Sequence, residues 1–150
     1  MSTEQLAAVA GVLVRARAPQ GEEILTEGDP GSSLFVLVDG TVETSKHFGV
    51  IGLDGATPRQ KVLVKLSAPQ FFGEIGLLED TPRSATVRAS TACELLELRR
   101  ADFERLVASD VRLGYVLIHN IASALIGRLR GTDRDILKLT AALSIALGNR

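Results

Sequence analysis

The chain has 150 residues, 45% of them hydrophobic, with 14 glycines against 5 prolines, enough for one domain with a buried core and many turns. Its net charge of −1 at pH 7 provides no electrostatic footprint for nucleic acid or an anionic membrane surface. The single cysteine, Cys93, excludes an intramolecular disulfide and a cysteine-rich metal site, and within Cys93–Leu98 it reads as a buried thiol. The early Glu4, with no basic region ahead of an apolar core, makes a poor signal peptide. The longest apolar run, Leu113–Gly127, contains His119, Asn120 and Ser123 and falls short of the ~20 apolar residues of a spanning helix. The expectation is a soluble cytoplasmic protein without a membrane span, residues 1–150 forming a single domain.

Thr3–Val14 has the spacing of a short amphipathic helix capped by Ser2 or Thr3, with Leu6, Val9 and Leu13 on one face. Pro19 and Gly21 break that pattern, and short extended segments then alternate with turn chemistry. Glu22–Leu25 leads into the turn Glu27–Gly31, Leu34–Val38 reads as a buried strand, and Asp39-Gly40 is a hairpin turn into Thr41–Thr44. Lys61–Leu66 alternates so that Val62, Val64 and Leu66 share a face, and Ala85–Ala89 and Cys93–Leu98 supply two more strands. His47–Gln60, with Gly49, Gly52, Gly55 and Pro58, reads as a long, solvated hairpin excursion. Many short strands with glycine turns predict an antiparallel β-roll, a double-sheet jelly roll, over about residues 18–99.

From about residue 100 to 148 the pattern is helical. Asp102–Val107 buries Phe103, Leu106 and Val107, and Asp110 caps a longer helix. In that helix Val111, Tyr115, Ile118, Ala122, Leu125 and Leu129 recur at helical spacing, while Gly114, Leu117, Ile121 and Ala124 widen the apolar surface. So broad a surface calls for two partners, the β-roll and, as the candidate for the other, a second subunit. Gly131–Asp135 offers an interruption or restart with Thr132 as cap, and Ile136, Leu139, Leu143 and Leu147 form a last stripe. The fold class is therefore mainly β with flanking helices: a β-roll, a short N-terminal helix and C-terminal helices.

Between the strands lies the phrase Gly73-Glu74-Ile75-Gly76-Leu77-Leu78 and, across Pro82, Arg83-Ser84-Ala85-Thr86-Val87. Glycine lets a backbone approach a sugar-phosphate, Glu74 is an acceptor, and Arg83 is a permanently charged fork suited to phosphate. Taken as isolated charges, Glu74 and Arg83 could equally form an incidental ion pair. The whole phrase closely resembles the phosphate-binding cassette of cyclic-nucleotide-binding domains. That family includes catabolite-activator-type regulators, regulatory subunits of cyclic-AMP-dependent kinase and cyclic-nucleotide-gated channels. Upstream, Glu27–Val42 resembles the first half of the same family's β-roll.

The resemblance implies that Gly73 admits the ribose and phosphate and that Glu74 accepts from the ribose 2′-hydroxyl. It implies that the amides of Ile75 and Gly76 point at the anion, with Arg83, the Ser84 hydroxyl and the Ala85 amide completing its nest. The base would rest against Val64 and be covered by a residue of the long helix, for which Arg128, Ile121 and Asn120 are candidates. Ser84 leaves the base open, with cAMP favoured over cGMP; the resemblance implies no cofactor beyond this ligand and no metal.

Other readings fare worse. His47 and His119 have no carboxylate or cysteine at metal-ligand spacing, and no nucleophile elbow or Walker motif appears, so no enzyme is expected. After the long helix only Thr132–Arg150 remain, without a basic recognition surface, so no nucleic-acid partner is expected either. A degenerate member that keeps the fold as a protein-interaction module without ligand is the alternative, and the presence of both Glu74 and Arg83 argues against it. The sequence thus reads as a cyclic-nucleotide sensor whose C-terminal helices transmit binding to a protein partner or a second subunit.

Overall fold

The computed structural model describes residues 1–48 and 59–148. Helix α1 (Thr3–Val12) opens on a capping box in which the Ser2 Oγ accepts from the Gln5 N–H and the Gln5 side chain accepts from the Ser2 N–H. The helix stops two residues short of the expected Val14, because β1 (Val14–Ala18) pairs antiparallel with β8 (Cys93–Arg99). Val9, Val12 and Leu13 pack inward, whereas Leu6 stays exposed and does not join their face.

The remaining strands are β2 (Glu23–Leu25), β3 (Ser33–Asp39), β4 (Thr41–Phe48), β5 (Arg59–Ser67), β6 (Gln70–Phe72) and β7 (Thr86–Ala89). They form two four-stranded antiparallel sheets, β1-β8-β3-β6 and β2-β7-β4-β5, the double-sheet roll expected. It begins at Val14 rather than near residue 18, since β1 is one of its edges. The Asp39-Gly40 turn joins β3 to β4 across the two sheets. Most of the His47–Gln60 excursion lies outside the described residues, and its ends are the paired tips of β4 and β5.

Alternation along β3 sorts its side chains between two clusters. Leu37, with Phe35 beside it, faces the other sheet and packs with Leu25, Val42, Phe72, Val87 and Leu95; the Phe35 and Phe72 rings stack at 5.6 Å. Leu34 and Val36 face outward, where Leu98 joins them under the helices. One expectation fails in β5. Its register passes from Thr44↔Val64 to Ser45↔Val62, leaving Leu63 as a bulged residue. The bulge breaks the alternation, so Val62 does not share the face on which Val64 and Leu66 line a common cavity.

A short helix α2 (Glu74–Leu78) lies between β6 and β7, and α3 (Arg100–Ser109) and α4 (Val111–Gly148) follow β8. Phe103 and Leu106 of α3 are buried against Leu34, Leu77, Leu98 and Leu113. Asp110 caps α4 as anticipated, accepting from the Leu113 N–H at 3.0 Å, and its second oxygen accepts from the Gln5 side chain at 2.8 Å. These hydrogen bonds, led by that from Gln5, hold the Asp110 carboxyl below its ordinary value.

Helix α4 runs unbroken for 38 residues, which corrects the expected interruption at Gly131–Asp135. One glycine in a helix costs only about 1 kcal/mol, and the Thr132 hydroxyl, rather than capping a new helix, donates back to the Arg128 carbonyl at 3.2 Å. Leu113, Leu117 and Ile121 pack toward α3 and the roll. Beyond Gly131, every residue to Leu147 is exposed, so this end of the helix stands clear of the body. Among the described residues, no helix is long and apolar enough to cross a membrane.

Candidate functional site

Gly73 follows β6 and is the N-cap of α2, with φ of 80° and ψ of 14°. That left-handed conformation favours glycine and turns Glu74 and the start of α2 toward the mouth of the roll. Opposite, the segment from Gly28 to Ser33 grips Arg83 along its whole length. The Arg83 N–H donates to the Asp29 carbonyl at 2.8 Å and its carbonyl accepts from the Gly28 N–H at 2.9 Å. Its Nη1 donates to the Ser33 carbonyl at 2.8 Å and the Gly73 carbonyl at 3.3 Å, and its Nη2 donates to the Ser33 Oγ at 3.2 Å.

The guanidinium fits because the surrounding backbone carries no side chains. A Cβ on Gly31 would stand 1.9 Å from the Arg83 Nε, and one on Gly76 would stand 2.5 Å from Nη1. Arg83 is only 8% exposed. Burial holds its guanidinium below the ordinary arginine value, and the Glu97 carboxylate partly reverses that shift. Among the described residues no carboxylate lies within ion-pair distance of Arg83. The incidental Glu74–Arg83 pair does not form; Glu74 instead faces Arg128 of α4, Oε1 to Nη1 at 3.6 Å.

These groups converge on one cavity of about 180 Å³. The residues assigned to the phosphate and ribose, Gly73, Glu74, Ile75, Gly76, Arg83, Ser84 and Ala85, all line it, as do Val64 and Arg128. Leu25, Leu66, Phe72 and Val87 form its apolar wall, with Thr44 beside them. Of the three helix candidates, only Arg128 reaches the cavity; Asn120 is exposed and Ile121 packs into the cluster under the helices. A wall of apolar side chains facing a desolvated cation, a half-buried carboxylate and exposed turn backbone can hold a flat apolar group and an anion at once.

Sequence reasoning missed the residues that position this set. Gly31 and Ser33 hold Arg83, although both lie in the Glu27–Val42 segment already singled out for other reasons. Arg100, at the start of α3, donates through Nε and Nη2 to the Gly76 carbonyl at 3.2 and 2.6 Å and through Nη2 to the Glu79 carbonyl. It also faces Asp80 at 3.6 Å. Arg100 thus satisfies carbonyls at the open end of α2 and ties that helix to α3. Consecutive arginines at the strand-to-helix junction were the available signal.

A family model, the cyclic nucleotide-binding domain, matches residues 15–110. The chain belongs to that family. The matched span covers the roll and α3 and ends where α4 begins. Among curated relatives, a cyclic nucleotide-gated potassium channel of Mesorhizobium japonicum is 38% identical over 104 residues, which is 69% of this chain and 25% of the channel. The cyclic AMP receptor protein of Thermus thermophilus is 34% identical over 119 residues, 79% of this chain and 50% of that protein. The chain therefore spans a quarter to a half of the length of these relatives. Among solved structures, a cyclic nucleotide-binding domain from Methylobacillus flagellatus superposes with a TM-score of 0.82 at 27% identity, covering 91% of this chain and 73% of that one. The Thermus thermophilus catabolite activator protein gives a TM-score of 0.73 at 29% identity, covering 93% and 61%. Among the described residues no helix-turn-helix follows the roll; α4 is a single helix.

Proposed function

We propose that this member of the family is a cyclic-nucleotide sensor, favouring cAMP over cGMP, whose C-terminal helices carry the binding signal to a second copy of the chain. The observation that carries the reading is the Arg83 guanidinium, buried in a glycine-lined cradle with no carboxylate within ion-pair distance among the described residues. A desolvated cation at the wall of an apolar cavity is stabilised by an anion brought in with the ligand. In this reading the cyclic phosphate meets Arg83, the amides of Ile75 and Gly76, the Ser84 hydroxyl and the Ala85 amide. The ribose 2′-hydroxyl donates to Glu74, and the base lies along Val64 and Leu66. Relatives named as cAMP receptors and cAMP-dependent kinase regulatory subunits support cAMP as the first ligand to test.

The route outward begins at α2. Between α2 and α4 lies a cleft of about 230 Å³ lined by Glu74, Ile75, Leu78, Glu79 and Leu125. Ile75 and Leu78 are nearly half exposed there, so closing the cleft buries apolar surface, and a ligand that binds the closed form better shifts the population toward it. On α4 the two stripes expected on separate helices merge into one 4–3 spacing: Val111, Tyr115, Ile118, Ala122, Leu125, Leu129, Thr132, Ile136, Leu139 and Leu143. That is the heptad seam of a coiled coil, and Leu129, Ile136, Leu139 and Leu143 are each more than half exposed. A second copy offers the matching seam.

Titration of the chain with cAMP and cGMP, followed by thermal unfolding, tests the reading. Saturation at a hundredfold excess over Kd should stabilise by ~2.7 kcal/mol, and Arg83→Ala should weaken binding by roughly 2–5 kcal/mol with the roll still folded. No shift with any cyclic nucleotide would leave a protein-interaction module instead. Hydrogen exchange across Asp110–Leu147 that is unchanged by saturating ligand would refute the transmission step.

A further inference from the structure

Arg128 crosses from α4 to the cavity rim, where its guanidinium touches β6 and the first residue of α2. Its Nη1 faces Glu74 Oε1 at 3.6 Å. Its Nη2 donates to the Gln70 Oε1 at 3.2 Å and to the Phe71 carbonyl. Its Cζ lies 4.6 Å from the centroid of the Phe71 ring, within cation–π range. A guanidinium held by a carbonyl, an amide oxygen, a carboxylate and an aromatic face is fixed in plane and position. To stack on a base in the cavity it would have to abandon that set. Glu74, for its part, has a side chain only 14% exposed, and the two methylenes that carry its carboxylate give it several rotamers to choose among.

We propose that Arg128 is a positioning residue for Glu74 and through it a determinant of ribose recognition, not a cover for the base. By engaging Oε1 it leaves Oε2 as the oxygen offered to a 2′-hydroxyl. The inference rests on the cyclic-nucleotide reading above and adds to it the group on the ligand that Arg128 senses. It also means that the sugar end of the ligand, rather than the base, is coupled to the position of α4.

The test is a two-ligand comparison by calorimetry, using cAMP and its 2′-deoxy analogue with the wild-type chain and the variants Arg128→Met and Arg128→Lys. A hydroxyl donating to a carboxylate should make the wild type prefer cAMP roughly tenfold to a hundredfold. In Arg128→Met the preference should collapse to within about threefold, with most of the loss on cAMP and little on the analogue. Arg128→Lys restores a charge beside Oε1 without the planar fork and should fall between. The ratio of two affinities on one variant cancels any loss of folded protein or of helix docking, so a purely structural role for Arg128 leaves it unchanged. Parallel losses on both ligands at an intact ratio would overturn the positioning role while leaving the sensor reading in place. A wild type that binds neither cAMP nor cGMP would overturn both.

Discussion

Gly31→Ala perturbs the proposed anion site without removing a charge or a hydrogen-bonding group. Gly31 does not occupy the left-handed region of backbone space, so alanine is compatible with its local conformation. The added Cβ, however, would stand 1.9 Å from the Arg83 Nε, 2.4 Å from Cζ and 2.6 Å from Nη2, whereas ordinary contact begins near 3.4 Å. The guanidinium must retreat by about 1.5 Å to be accommodated. Its bonds of 2.8 Å to the Ser33 carbonyl and 3.2 Å to the Ser33 Oγ cannot both survive that displacement, since hydrogen bonds weaken steeply beyond ~3.2 Å. A misplaced charge-assisted bond is worth about 1.5–3 kcal/mol, so cAMP affinity should fall roughly tenfold to a hundredfold. Stability should fall as well, by roughly 1–3 kcal/mol, because the Arg83–Ser33 bonds are present without ligand, and the stiffer unfolded chain offsets at most about 1 kcal/mol of that. Calorimetric titration at equal protein activity measures the loss, and Gly11→Ala, whose Cβ would meet nothing within 4 Å, is the control. An affinity for Gly31→Ala within about twofold of wild type would show that Arg83 does not need this cradle, and the site assignment would have to change.

Arg100→Ala removes the side chain that joins the α2 carbonyls to α3; ligand should still bind within about tenfold, but ligand-dependent hydrogen-exchange protection in α4 should disappear. Ile136→Asp places a charge in the exposed seam; if the proposed pairing holds, light scattering should report a dimer for the wild type and a monomer for the variant, with the roll's unfolding changed by no more than ~0.5 kcal/mol. Asp110→Ala should lower the melting temperature at neutral pH. Because the folded carboxyl is held below its ordinary value of 3.8, its contribution is complete above that value and is lost as pH falls through the lower folded one. The gap in melting temperature between wild type and variant should therefore stay constant from pH 7 to about pH 5 and narrow below about pH 4. A gap that widens on acidification would contradict the capping role.

What could be read in advance was local. Asp39-Gly40 announces its turn, and Asp110 and the Ser2-Thr3 pair their caps, because each depends on neighbours a few residues away, whereas the phrase from Gly73 to Ala85 was legible only through its resemblance to a family cassette. The strand at Val14–Ala18 escaped because Val-Arg-Ala-Arg-Ala alternates arginine with alanine, a weak strand former; pairing with β8 makes it a strand. The bulge at Leu63 escaped for the same reason, being a property of the β4–β5 pairing and not of either sequence. Gly31 and Ser33 meet a guanidinium fifty residues away, and no spacing predicts that encounter. Arg128, Ile121 and Asn120 were equivalent as helix positions until the seat of α4 on α3 selected one of them. Gly131 failed as a helix breaker because its cost is small beside the cooperativity of a long helix.

The uninterrupted course of α4 past the cavity rim makes it a mechanical arm. Arg128 stands 20 residues before Gly148, about 30 Å along the helix axis at 1.5 Å per residue. If the Arg128 end is the fulcrum, a tilt of about 10° there sweeps the far tip through roughly 5 Å, close to one helical turn. A tilt set by the sugar end of the ligand, as proposed, would be read at the tip as a sideways displacement of several ångströms.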